Sequence, residues 1–128
     1  DSSGWDWRRV GATIHARFHP LGCCHWGFYD IRAASIWIGP SAFANPARLR
    51  YTVLHEVGHA WQFRSGRLDR LSADMAPWGH RGSAALEAGA DCLSTVWGAS
   101  PRSGHYWGCP QAAAGLVVRR LAGDWGSR

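Results

Sequence analysis

The chain predicts an α+β fold: a small antiparallel or mixed sheet built early in the sequence, packed on two motif-bearing helices, with one more helix near the C-terminal end. Three observations carry that expectation. Short aromatic and β-branched runs punctuated by Gly and Pro fill the N-terminal third. Helical apolar spacing takes over after Asn45, and two ionisable pairs four residues apart, His55/His59 and Glu87/Asp91, each share one helical face. At 128 residues the chain suits a single domain with one core.

The elements follow in order. Beyond the polar start Asp1 to Gly4, Val10 to Phe18 alternates in part and reads as a strand, ended by His19-Pro20-Leu21-Gly22. Trp26 to Asp30 and Ser35 to Gly39 read as two more strands, with Pro40 closing the second. Asn45 is a capping residue and Pro46 is preset for the first helical position, so a helix starts here and runs toward Gly66, which follows the basic Arg64. Residues 67 to 82 read as an irregular loop containing Pro77. Ser83 is expected to cap the next helix, whose apolar face is Leu86, Ala90, Leu93 and Trp97. A final helix is expected from Pro110 to about Ala122, burying Leu116, Val117, Val118 and Leu121.

Composition narrows the function classes. The sequence contains nine tryptophans, which are expected mainly in the core and its rim. Its basic balance comes from arginine alone, and the arginines are scattered, with only Arg48/Arg50 and Arg119/Arg120 close together. A nucleic-acid footprint needs cations gathered on one face, so no nucleic-acid partner is expected. No apolar run reaches the roughly 18 residues of a membrane-spanning helix. Four cysteines and a start at Asp1 suggest a mature secreted chain. No CxxC spacing favours a cysteine metal site; a Cys92–Cys109 bridge is the preferred pairing, while Cys23 and Cys24 stay open between a strained bridge to each other and bridges to the other pair.

The chemistry lies in His55-Glu56-Val57-Gly58-His59. Side chains at i and i+4 on a helix can reach one metal ion from one face, and the carboxylate between them can hold a water beside it. The chain has only two glutamates, and the other opens Glu87-Ala88-Gly89-Ala90-Asp91. Two histidines and a glutamate form a known catalytic zinc set with a position left for water, so His55, His59 and Glu87 are the expected ligands. Asp91 is either the acceptor for the free ring N–H of a liganding histidine or the alternative third ligand.

On these motifs the chain resembles the zincin metallopeptidases, and more narrowly the gluzincin group, over roughly residues 31 to 98. The resemblance implies a minimal zincin fold with Zn2+ on His55, His59 and Glu87, Glu56 as general base and Asp91 supporting a liganding histidine. It also implies a peptide or protein substrate lying along an edge strand, for which Ser35 to Gly39 is the expected segment. In this reading water activated by the metal attacks a carbonyl carbon, and His80 is the first candidate to stabilise the oxyanion, with Tyr106, His105 and Tyr51 as alternatives. A secreted zinc endopeptidase is the leading expectation. Two others stand beside it: an inactive zincin-like binding module, and a zinc amidase acting on cell-wall peptide crosslinks.

Overall fold

The computed structural model describes residues 10–17, 26–100 and 108–123. Its organising element is a 20-residue helix, α1, over Pro46–Ser65. The side-chain oxygen of Asn45 accepts from the Arg48 N–H at 2.8 Å, Pro46 takes the first turn, and Gly66 ends the helix in the left-handed region at φ 68°. Both ends therefore sit where local chemistry puts them.

The sheet is small and mixed. Strands β1 (Thr13–His15), β2 (Gly27–Asp30) and β3 (Ser35–Ile38) lie in the order β1-β3-β2, with β1 parallel and β2 antiparallel to β3. Ile36 and Ile38 point from β3 into the core beneath α1. The expected edge segment is thus the centre of the sheet, and a peptide cannot pair along it. Alternating apolar residues identify a strand with one buried face, but they carry no information about its neighbours within the sheet.

Residues 67–82 are not an irregular loop. Leu68–Asp74 forms a short helix, α2, followed by a 3-10 turn at Ala76–Trp78 that ends on Gly79 at φ 84°. Leu71 and Met75, one turn apart, are both buried, so tertiary packing supplies what seven residues cannot supply by propensity. Helix α3 spans Gly82–Val96 with Arg81 at its N-cap and no side-chain capping bond, so Ser83 does not cap it. Ser83 already lies inside the first turn, past the extended residue from which a cap must reach. Helix α4 covers Gln111–Ala122, with Pro110 just outside it, and buries Ala113, Val117 and Leu121, while Leu116 and Val118 are partly buried. The bidentate bond of Arg120 to Asp74 fastens α4 to α2.

Helices α1 and α3 pack antiparallel, as the pairing of Gln62 with Leu86 at one end and of Tyr51 with Asp91 at the other shows. Small residues allow the approach. A Cβ on Gly58 would lie 3.2 Å from the Ala90 Cα, and one on Gly89 would lie 3.0 Å from the Gln62 Nε2. The Cys92–Cys109 disulfide joins α3 to the segment leading into α4, as expected. Cys23 and Cys24 lie outside the described residues. All five described tryptophans are buried or half-buried, in keeping with core and rim roles. Among the described residues no helix is long and apolar enough to cross a membrane.

Candidate metal centre

The antiparallel contact of α1 and α3 brings the two sequence motifs face to face. Ligand atoms of His55, His59 and Glu87 all lie within 4.8 Å of one another, a group that could hold a metal ion. The His55 Nε2 is 3.7 Å from the Glu87 Oε2, and the His59 Nε2 contacts the Glu87 Oε1. The two imidazoles stand edge to face, with ring centres 4.7 Å apart. His55 is buried, whereas Glu87 is part exposed.

Each histidine is held through its other nitrogen. His55 Nδ1–H donates to Asp91 Oδ1 at 2.8 Å, and the Tyr51 hydroxyl donates to the same oxygen at 2.6 Å. His59 Nδ1 lies 2.9 Å from the Gln62 Oε1, while the Gln62 Nε2 donates to the Leu86 carbonyl, also at 2.9 Å. An amide that donates through nitrogen to a carbonyl must offer its oxygen to the ring, so His59 carries its proton on Nδ1. In both rings Nε2 is thereby left to face Glu87. This is the orientation a metal ligand requires, because the partner on the far nitrogen fixes tautomer and raises basicity.

The electrostatics fit a site built for a cation. Burial acts to lower the His55 pKa, but its hydrogen bonds to Asp91 and Glu87 and the nearby charge of Glu56 prevail, raising it to about 9. Burial acts to raise the Glu87 pKa, but hydrogen bonds to His55 and His59 prevail and hold the carboxyl far below its usual range.

Glu56 lies on α1 between the two histidines, 8 % exposed, against the first residue of β2. Asp91 accepts from the His55 ring and lies outside the His55, His59 and Glu87 group. Tyr51 is 3 % exposed with its hydroxyl committed to Asp91, so it is not available to an oxyanion. His80 sits half-buried in the link before α3, its main-chain N–H donating to the Met75 carbonyl, and it is not part of the His55, His59 and Glu87 group. His105 and Tyr106 lie outside the described residues.

The supporting roles of Tyr51 and Gln62 escaped the motif reading, although helical spacing contains the signal. Tyr51 precedes His55 by four residues and Gln62 follows His59 by three, so both share the ligand face of α1.

Comparison with protein-family models, curated proteins and solved structures gives no match to this chain.

Proposed function

We propose that this chain is a zinc-dependent endopeptidase acting outside the cytosol, on a compact α+β version of the zincin plan. The convergence of His55 Nε2, His59 Nε2 and the Glu87 carboxylate, with both imidazole tautomers set by buried partners, carries this reading. Two imidazoles and one carboxylate suit zinc, and the disulfide at Cys92 and Cys109 removes their thiolates from competition. The same disulfide favours an oxidising compartment.

Zinc held there supplies Lewis acidity and lowers the pKa of a bound water toward about 7. Glu56 accepts the proton of the attacking water and returns it to the departing amine. Asp91, Tyr51 and Gln62 keep the imidazoles aimed while charge develops. His80, on the link that leads into α3, is the proposed donor to the carbonyl oxygen.

Among the described residues β2 is an outer strand beside Glu56, and its edge is where we place an extended peptide. The Gly39 N–H bonds the Trp26 carbonyl, and the antiparallel register pairs Gly27 with Ile38 and Phe28 with Trp37. Hydrogen-bonded pairs alternate with non-bonded ones, so the main-chain groups of Gly27 and Tyr29 point away from β3 toward that edge. They are the row to which a substrate backbone would pair, next to Glu56.

The test is Glu56→Gln, assayed for metal content and for cleavage of a peptide library. We expect one equivalent of zinc retained and hydrolysis reduced by about 10²- to 10⁴-fold. Undiminished hydrolysis in this variant would remove Glu56 as the base. Wild type that holds zinc yet cleaves no peptide would point to a binding module instead.

A further inference from the structure

The glycine that opens β2 is shaped by its contact with Glu56. Its backbone torsion is not in the left-handed region, so conformational freedom does not explain the residue. Space does: a Cβ at Gly27 would lie 2.8 Å from the Thr52 Cγ2, 3.0 Å from the Glu56 Cγ and 3.2 Å from the Glu56 Oε2. Thr52 and Glu56 are successive turns on one face of α1, and the bare backbone of β2 lies directly on both. Farther along the strand the arrangement changes, because Tyr29 reaches α1 through its ring, stacked on Phe63 with centroids 6.0 Å apart. Close backbone approach is confined to the end of β2 that meets Glu56.

We infer that Gly27 is a positioning residue for Glu56: its main chain forms the wall that fixes the carboxylate beside the metal-binding group, and any side chain there displaces it. The inference rests on the assignment of Glu56 as base, and its contact with Glu56 can be tested without hydrolysis. A glutamate on a helix has three free torsions, so a general base held within hydrogen-bond reach of its water needs a wall to limit them. Gly27 supplies that wall from the same strand whose outward groups face the substrate edge. A shift of β2 would therefore move base and bound peptide together.

The experiment compares Gly27→Ala, alone and with Thr52→Ser, in the zinc-loaded protein. Thr52→Ser removes the methyl carbon met at 2.8 Å but keeps the hydroxyl bond to the Arg48 carbonyl. We expect Gly27→Ala to lower Tm by about 5 °C and kcat by roughly tenfold, with zinc still at one equivalent. Adding Thr52→Ser should restore most of the Tm and leave kcat depressed with KM little changed, because the contact with Glu56 remains. Recovery of kcat along with Tm would overturn the inference by assigning the whole effect to Thr52. A second readout needs no substrate. In the Thr52→Ser background, Gly27→Ala should cost less Tm when Glu56 is also changed to Ala, whereas an equal cost in both backgrounds shows that Gly27 does not press on Glu56. A normal kcat in Gly27→Ala beside an inactive Glu56→Gln sinks this inference alone, while an active Glu56→Gln sinks the base assignment beneath it.

Discussion

Gln62→Leu tests whether the clamp on His59 belongs to the metal site or only to the helix interface. Gln62 is 2 % exposed and makes two bonds of 2.9 Å, one from the His59 ring and one to the Leu86 carbonyl. Leucine has a similar volume and strips both groups of their partner. Each orphaned group costs about 1–3 kcal/mol, and the added apolar burial returns part of it, leaving a net loss of about 2–4 kcal/mol. The freed His59 ring can rotate or change tautomer, which should weaken zinc binding by about 10- to 100-fold. Urea unfolding of the metal-free protein reads the first quantity, and competition against a chromophoric chelator reads the second. Gln62→Glu separates them, because a carboxylate still accepts from His59 but cannot donate to Leu86; its zinc affinity should hold while its stability falls. If Gln62→Leu binds zinc within twofold of wild type, the orienting role is refuted and only the helix contact remains.

Two further outcomes follow from the same geometry. His55 titrates at about 9 when metal-free, raised from 6.5, so its protonated form stabilises the fold fully below about pH 6.5 and that contribution is lost as pH rises through 9. The Glu87 carboxyl is lowered from 4.5, so its contribution is present above about pH 4.5 and is lost on acidification below it. Metal-free protein should thus be most stable between these limits. Zinc must displace the His55 proton, so its apparent affinity should rise about tenfold per pH unit between 6 and 8; chelator competition across that range checks it, and a flat profile contradicts the charge assignment. Replacing both Cys92 and Cys109 with Ala opens a link across a sequence separation of 17 and should cost about 3 kcal/mol in urea unfolding. Zinc affinity should change far less, since every ligand lies on α1 or α3.

Local signals and tertiary arrangement divided the work unevenly. Helix α1 was legible at both ends because a cap, a proline and a left-handed glycine act over one turn of chain. The shared face of His55 and His59 was legible too, because i and i+4 spacing fixes it before any packing occurs, and the packing of α3 on α1 then brings Glu87 into the same group, which could hold a metal ion. The Cys92–Cys109 pairing followed from a short loop. Helix α2 was missed because it is too short to signal itself and exists through the burial of Leu71 and Met75. Ser83 misled because a good capping residue two positions past the N-cap looks the same in sequence as one at the N-cap.

By itself, then, the sequence determined an α+β chain with two helices carrying the His55/His59 and Glu87/Asp91 pairs, since period, caps and i, i+4 spacing are properties of neighbouring residues. Only the tertiary structure decided that β3 is central and β2 is the edge, that Gln62 and Tyr51 hold the imidazoles, and that Gly27 rests on Glu56. Each of those facts rests on a contact between distant segments, Gln62 and Tyr51 being fixed in turn by their bonds to Leu86 and Asp91 on α3. It depends on which backbones approach closely enough for glycine and alanine to be required between them, and that distance is set by the packing of the whole core.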